Sequence, residues 1–304
     1  MTVPARPTPL FADIADVSRR LAETGYLPDT ATATAVFLAD RLPHPPRGGA
    51  DGARGGPIRV VEGPAGVGKT ELARAVAQAT GSGLVRLQCY EGVDEARALY
   101  EWNHAKQILR IQAGSGDWEA TKTDVFSEEF LLQRPLLTAI RRTEPTVLLI
   151  DETDKADIEI EGLLLEVLSD FAVTVPELGT LTATRAPFVL LTSNATRELS
   201  EALKRRCLYL HIDFPTPELE RRILLSRVPE LPEHFAEELV RIIGVLRGMQ
   251  LKKVPSIAET IDWGRTVLAL GLDTIDDAVV AATLGVVLKH QSDQQRATGE
   301  LRLN

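Results

Sequence analysis

Residues 63–71 have the residue types and spacing of a phosphate-binding loop. The pattern G-x-x-x-x-G-K-[ST] is filled by Gly63, Gly68, Lys69 and Thr70. In such a loop the glycines let backbone N–H groups turn towards a phosphate, the lysine reaches the outer phosphates and the hydroxyl holds Mg²⁺. An apolar run, Ile58 to Val61, precedes the pattern and a helical pattern follows it, a setting that separates this loop from a chance match. We therefore predict binding of a nucleoside triphosphate with Mg²⁺, Thr70 being a metal ligand, through Gly63, Pro64, Ala65, Gly66, Val67, Gly68, Lys69, Thr70 and Glu71.

Two carboxylates directly follow another apolar run, Val147 to Ile150. Ligands of α/β proteins bind at the carboxyl ends of parallel strands. We therefore expect Asp151 to hold Mg²⁺, usually through its water, and Glu152 to orient or deprotonate the attacking water. An acidic pair after a strand is by itself often a solvated turn, and the phosphate loop upstream is what favours the catalytic interpretation.

A third apolar strand ends at Asn194, and a basic cluster, Lys204 to Arg206, follows it. Asn194 is predicted to hold the attacking water beside the γ-phosphate, the alternative being a turn-forming asparagine. A basic cluster is usually a solvated face. This one ends a short helix that leads into a strand, from which an arginine can project at a neighbouring subunit's γ-phosphate. Arg206 is our first candidate for that role and Arg205 the second.

The composition limits the classes of partner. A formal net charge of −9 argues against a protein-wide grip on nucleic acid or on an anionic membrane, although a local basic channel in an oligomer would escape that argument. No apolar run approaches the ~20 residues of a membrane span, and the N-terminus lacks the apolar segment of a signal peptide. Cys89 lies in an apolar strand pattern and is expected to be a reduced, buried thiol. We expect a cytoplasmic protein.

Alternating strand and helix patterns predict a doubly wound α/β domain, followed by a small all-helical domain. Residues 1–57 hold two helices and a flexible linker, 58–214 the α/β domain, and 215–304 the helical domain. Helices are expected over 94–112 and 126–142, with a break at 113–117 between them. Alternation over 172–183 predicts a β-hairpin, and the polar last dozen residues are expected to be frayed.

These features, in this order, resemble the AAA+ ATPases and, more closely, the MoxR family. The resemblance covers roughly residues 11–290 and is carried by five stretches: Gly25-Tyr26-Leu27, the phosphate loop through Ala73, 148–156 (LLIDETDKA), 164–169 with 175–179, and 192–206. It implies a P-loop AAA+ αβα domain, of which the N-terminal helices are part, and a helical lid. The break at 113–117 is then the family's insert in the second helix, and the hairpin at 172–186 precedes the sensor strand.

The resemblance also implies an activity and partners. Members of this family are ring-forming ATPases, here expected to form a hexamer, that use ATP and Mg²⁺ to remodel or activate a protein client. Complex assembly and metal-cofactor insertion are recurring themes, and partners often carry a von Willebrand factor A domain. Neither a membrane nor a nucleic acid is expected as partner. The alternatives are a nucleotide-gated scaffold with little turnover and a nucleic-acid-directed motor.

The resemblance leaves two questions open: the role of residues 25–27, and which residue replaces the lid's sensor arginine. Gly25, Tyr26 and Leu27 resemble the stretch that lines the adenine pocket, but a plain helix–helix turn with a core tyrosine explains them equally well. The family's lid offers a sensor arginine at a position where this chain has Ile257. Either Lys252 or Lys253 substitutes for it, or the lid senses the γ-phosphate poorly.

Overall fold

The computed structural model describes residues 9–42, 58–113, 124–272 and 274–301. These residues form two compact units. The first holds the described parts of Met1–Thr24, Pro28–Glu62 and Thr70–His211, and the second holds Gly25–Leu27, Gly63–Lys69 and the described part of Ile212–Asn304. Within the described ranges, no helix is both long and apolar enough to cross a membrane.

A parallel sheet organises the first unit, as predicted for an α/β domain. In the described part of the chain it has five strands: β1 (Ile58–Glu62), β2 (Gly83–Gln88), β5 (Thr146–Asp151), β8 (Phe188–Ser193) and β9 (Cys207–His211). Their order is β2-β5-β8-β1-β9, and each neighbouring pair is parallel. All six residues of β5 and of β8 are buried, which explains why the four residues 147–150 of β5 and 188–191 of β8 are all apolar.

Helices cover this sheet and supply its core. They are α1 (Ile14–Glu23), α2 (Thr30–Arg41), α3 (Lys69–Thr80, in this unit from Thr70 on), α4 (Glu95–Ala98), α5 (His104–Ala113), α6 (Pro135–Arg141), α7 (Ile158–Asp170) and α8 (Glu201–Lys204). Leu136 and Leu164 from these helices pack in one buried cluster with strand residues such as Leu148. Cys89 belongs to the same cluster and is a free, buried thiol, as predicted. Burial raises its pKa to about 12, so this thiol is unreactive.

The two helices predicted over 94–112 and 126–142 are wrong in their middles. β3 (Tyr100–Trp102) interrupts the first, and β4 (Leu131–Gln133) interrupts the second. The two strands pair antiparallel, and Pro135 then starts α6 in the first turn, where a missing N–H is tolerated. A pairing between residues some thirty positions apart leaves no trace in local periodicity. The predicted insert at 113–117 lies outside the described residues except for Ala113, the last residue of α5.

The hairpin predicted from alternation is present. β6 (Ala172–Val175) pairs antiparallel with β7 (Gly179–Thr182). Val173 and Val175 are buried in the core, whereas Thr174 and Thr180 are exposed and their hydroxyl oxygens lie 3.1 Å apart. One face of the hairpin therefore packs on the unit and the other faces solvent.

The second unit is helical in its C-terminal part. Its helices are α9 (Pro217–Arg227), α10 (Glu233–Gly248), α11 (Ile257–Ala269), α12 (Asp277–Val287) and α13 (Gln291–Glu300). Trp263 is fully buried in their core, where its Nε1 donates a 2.8 Å hydrogen bond to the Thr283 hydroxyl. The central α/β sheet and these helices together agree with the predicted fold class of a P-loop αβα domain with a helical part.

The expectation of a frayed C-terminus is wrong for α13. Asp293 is buried, and its carboxylate accepts hydrogen bonds from the backbone N–H groups of Lys252 (3.1 Å) and Lys253 (3.2 Å). Ala297, one turn later, is fully buried. The polar composition concealed this anchored face, because polar residues also dock the helix: Gln294 and Arg296 donate hydrogen bonds to the carbonyl oxygens of Leu288 and Gln250.

Candidate nucleotide site

Asp151, the last residue of β5, is surrounded by hydrogen-bond donors. The Thr70 hydroxyl lies 3.0 Å from its Oδ1 and 3.2 Å from its Oδ2, although the two residues are 81 positions apart. Thr192 donates a 2.5 Å bond to Oδ1, and Arg86 approaches Oδ2 with both Nε (3.1 Å) and Nη2 (2.5 Å). The structure therefore brings together the two side chains that the sequence assigned to Mg²⁺.

The donor set of Thr70 and Asp151 fits that ion. A hydroxyl and a carboxylate are hard oxygen ligands, and Mg²⁺ is usually held by one or two carboxylates together with substrate phosphates and waters. Within the described ranges, no group of three or more His, Cys, Asp or Glu side chains could hold a metal by itself. A site that depends on a nucleotide's phosphates does not need such a cluster.

Glu152 directly follows Asp151 but points to different partners. Its backbone is left-handed (φ 56°, ψ 48°), a conformation that is uncommon for a residue other than glycine. Its N–H donates a 2.9 Å bond to the Thr192 hydroxyl, which stabilises the turn. The carboxylate oxygen Oε2 accepts from Gln88 Nε2 (3.1 Å) and lies 2.6 Å from Lys155 Nζ. The turn thus separates two consecutive acids, which lets them have separate functions.

Asn194 comes directly after β8 and is held by a buried acid. The Asp154 carboxylate accepts from the Asn194 N–H at 3.1 Å, from the Thr196 N–H at 3.1 Å and from the Thr196 hydroxyl at 2.5 Å. Burial alone would raise the pKa of Asp154, but these hydrogen bonds outweigh it and the pKa is lowered. The loop that carries Asn194 is therefore fastened to the segment that carries Asp151 and Glu152.

The sequence did not single out Arg86, Gln88, Asp154 or Thr192. Each is a polar residue at or near the carboxyl end of β2, β5 or β8. The one available signal was position, since polar residues at the ends of neighbouring parallel strands converge on the same edge of the sheet. Sequence alone does not say which of them become buried and paired.

The phosphate loop, Gly63–Lys69, lies in the second unit. Lys69 is buried, and its Nζ donates hydrogen bonds to the carbonyl oxygens of Gly63 (2.7 Å) and Pro64 (2.7 Å). Gly63 has φ +154°, and a Cβ added there would lie 1.9 Å from the carbonyl oxygen of Ile212. Gly66 has φ +78°, and a Cβ added there would lie 2.3 Å from the Ser256 Oγ. The loop is thus closely packed against residues of its own unit.

Tyr26 also lies beside the loop. A Cβ added to Gly68 would lie 3.6 Å from a ring carbon of Tyr26, and one added to Gly25 would lie 3.8 Å from the Arg227 guanidinium. The Gly25–Leu27 segment connects α1 and α2, and its tyrosine is a neighbour of the phosphate loop. Its role in binding adenine stays a prediction.

Ser256, which lies beside Gly66 of the phosphate loop, is the N-cap of α11. Ser256 and Glu259 form a capping box, in which Glu259 Oε2 accepts from the Ser256 N–H at 2.9 Å. Burial would raise the pKa of Glu259, but its hydrogen bonds with Ser256 lower it. Lys253 Nζ lies 3.7 Å from Glu259 Oε1. Of the two lysines left open by the sequence, Lys253 is thus paired with an acid that caps the helix starting at Ile257.

Comparison with known proteins shows which class of protein this chain resembles. Residues 59–207 match the family model described as AAA domain (dynein-related subfamily). The chain is also similar to chaperone protein ClpB 1 of Synechocystis sp. (27% identity over 233 residues, 72% of this chain and 23% of the relative). It is similar to ClpB of Chlamydia pneumoniae (23% over 219 residues, 68% and 23%) and to ClpB 2 of Parasynechococcus marenigrum (33% over 135 residues, 43% and 13%). These matches support an AAA+ ATPase.

The chain spans about a quarter or less of the length of these relatives. The similarity therefore reaches the AAA+ class, whereas the finer likeness to the MoxR family rests on the sequence motifs alone.

Arg206 lies at the opposite end of the first unit's sheet from the paired acids, Asp151 and Glu152. It precedes β9, whose first residue, Cys207, pairs with Ile58 at the start of β1. Glu62, at the end of β1, pairs with Ser193. Four residue steps along a strand span about 13 Å, so the structure does not bring Arg206 to Asp151 or Glu152 of the same chain. Arg205 is exposed and Arg206 half-buried, and the proposed action of either on a neighbouring subunit stays a prediction.

Proposed function

We propose that this chain is a ring-forming, Mg²⁺-dependent ATPase of the MoxR type that uses ATP hydrolysis to remodel or activate a protein client. The observation that carries the proposal is the contact between Thr70 and Asp151, with Glu152 and Asn194 on the adjoining strand ends. Lys69 and Thr70 are consecutive, so both would bind the same nucleotide. The chaperones among the relatives favour a protein client, either in complex assembly or in the insertion of a metal cofactor.

Each side chain then has one task. Lys69 binds the outer phosphates, and Thr70 and Asp151 hold Mg²⁺, which when bound neutralises charge on the phosphate oxygens. Glu152 accepts the proton of the attacking water, with its carboxylate held by Gln88 and Lys155. Asn194 orients that water, since Asp154 holds its loop beside the two acids.

A capture experiment tests this function. The Glu152→Gln protein with ATP and Mg²⁺ is expected to retain a protein partner from its host, whereas the same protein with ADP and the Lys69→Ala protein are expected to lose it. A partner with a von Willebrand factor A domain would support the MoxR assignment. Equal capture in all three states would contradict nucleotide-driven remodelling.

The two alternatives give different results. A wild-type protein that binds ATP, assembles and shows no turnover would indicate a nucleotide-gated scaffold. Hydrolysis that is stimulated by DNA or RNA would indicate a nucleic-acid-directed motor.

Hydrolysis is expected to depend on assembly, because Arg206 lies too far from the acids of its own chain. The Arg206→Ala protein should bind ATP normally and hydrolyse it at least about 1,000-fold more slowly, the loss seen for arginine fingers. Mixing it with Lys69→Ala should restore part of the turnover, because head-to-tail assembly creates interfaces with one intact loop and one intact arginine. Phosphate release by the mixture, compared with each protein alone, is the measurement.

Arg205→Ala is the matched control, since it removes the neighbouring, more exposed arginine. If Arg205→Ala shows the larger loss, the finger is Arg205. No recovery on mixing, despite co-assembly shown by size-exclusion chromatography, would exclude an arginine that acts between subunits.

A further inference from the structure

Glu161, in α7, is a buried carboxylate that the nucleotide site does not use. Only 1% of its surface is exposed. Oε1 accepts a hydrogen bond from Arg197 Nη2, and Oε2 accepts one from the Ser200 N–H at 2.9 Å. Arg197 Nη2 also donates to the Ala156 carbonyl at 2.6 Å. Burying a carboxylate is costly unless it is paired and hydrogen-bonded, and Arg197 and Ser200, the partners of this one, both lie in residues 193–206.

That segment, residues 193–206, is fastened at two places by one stretch of chain. Asp154 holds its beginning through the Asn194 and Thr196 N–H groups. Glu161, seven residues after Asp154, holds its middle through Arg197 and Ser200. Asp154 therefore fixes the position of Asn194, which lies beside Asp151 and Glu152. Glu161 fixes the position of Arg197 and Ser200, which lead towards Arg206.

Ser200 is the residue through which Glu161 reaches Arg206. Its side chain caps α8, the short helix Glu201–Lys204. Leu203 anchors this helix in the core, and its carbonyl accepts the Arg206 N–H at 3.1 Å. Because α8 is only one turn long, we expect the orientation of its N-cap, Ser200, to affect where Arg206 lies after the helix.

We infer that Glu161 is a positioning residue for Arg206. It holds Ser200 and so orients the arginine that one subunit offers to its neighbour's nucleotide. The inference rests on the proposed function, since it requires Arg206 to act between subunits. It places the effect of Glu161 on the neighbour's hydrolysis and not on that of its own subunit.

Complementation between inactive subunits tests this assignment. The Glu161→Ala protein should bind ATP as the wild type does and hydrolyse it on the order of 10- to 100-fold more slowly, because a displacement of about 1 Å can reduce a rate about 100-fold. Mixed with Lys69→Ala, which has an intact arginine, it should recover turnover. Mixed with Arg206→Ala it should not, since both proteins then lack a working arginine.

The opposite pattern would overturn the inference. Recovery with Arg206→Ala and none with Lys69→Ala would mean that Glu161 serves the site of its own subunit. Recovery with neither, when Lys69→Ala and Arg206→Ala do complement each other, would reduce Glu161 to a structural role. Failure of that reference pair would instead refute the action of Arg206 between subunits.

Two further variants separate position from folding. Glu159→Ala removes an exposed acid of the same helix and should behave as the wild type in every mixture. Glu161→Gln retains an oxygen that can accept from Ser200 but loses the ion pair, so it should fall in the same complementation group with a smaller loss. If Glu161→Ala does not fold by circular dichroism, Glu161→Gln carries the test, and full activity of a Gln variant that has lost its contact with Ser200 would contradict the inference.

Discussion

Replacing Glu152 with glutamine is expected to stop ATP hydrolysis while leaving ATP binding intact. The amide cannot accept the proton of the attacking water, and loss of a general base reduces a rate by about 100- to 10,000-fold. Gln88 and Lys155, which now contact the carboxylate, would still face an oxygen of similar position. Phosphate release measures the loss, and titration with a fluorescent ATP analogue measures the binding.

Glu159→Gln makes a suitable control because it makes the same chemical change at an exposed position of α7. It should leave both quantities unchanged. If Glu152→Gln hydrolysed ATP at the wild-type rate, Glu152 could not be the base, and the left-handed turn that separates it from Asp151 would need another explanation.

The Lys69→Ala protein is expected to lose ATP binding by roughly 100-fold or more. Charge-assisted hydrogen bonds contribute about 1.5–3 kcal/mol each, and every 1.4 kcal/mol is a factor of ten in affinity. The residue is buried, and its amine now bonds to the carbonyl oxygens of Gly63 and Pro64. A nucleotide would therefore exchange these carbonyls for phosphate oxygens, and calorimetric titration of ATP measures the resulting affinity.

Removal of the amine also removes two bonds within the loop, so folding needs its own measurement. Lys106→Ala in α5, which removes an exposed ion pair with Glu129, is the matched control for loss of a lysine. A Lys69→Ala protein with wild-type melting temperature and wild-type affinity for ATP would show that the loop binds phosphate through its backbone alone.

The sequence predicted those parts of the fold whose cause is local. β5 and β8 are buried on both faces, so their central residues are apolar, and the runs 147–150 and 188–191 were visible without a structure. Thr70 and Asp151 could be paired in advance because a phosphate loop and a strand end converge on one edge of a parallel sheet. The structure confirms that they lie together, and their chemical roles remain predictions.

The wrong predictions concern elements and residues whose structure depends on long-range contacts. β3 and β4 exist only because each pairs with the other, and α13 is ordered because Asp293 reaches the backbone at Lys252 and Lys253. Asp154 and Glu161 looked like ordinary acids, since burial depends on what folds over a residue and not on its neighbours in sequence. The structure of these residues depends on partners distant in sequence, which local periodicity and composition do not reveal.

The close packing of the phosphate loop has a consequence for how its glycines can vary. At Gly63 the space for a side chain is filled by the backbone oxygen of Ile212, and no substitution elsewhere removes a backbone oxygen. At Gly66 the space is filled by the side chain of Ser256, so that glycine depends on what residue 256 is. The phosphate-loop motif requires glycine at position 63, whereas position 66 is one of its unspecified positions. Among relatives of this chain, position 66 is therefore expected to co-vary with position 256, and position 63 is expected to remain glycine because a backbone oxygen, independent of any phosphate, fills the space for a side chain.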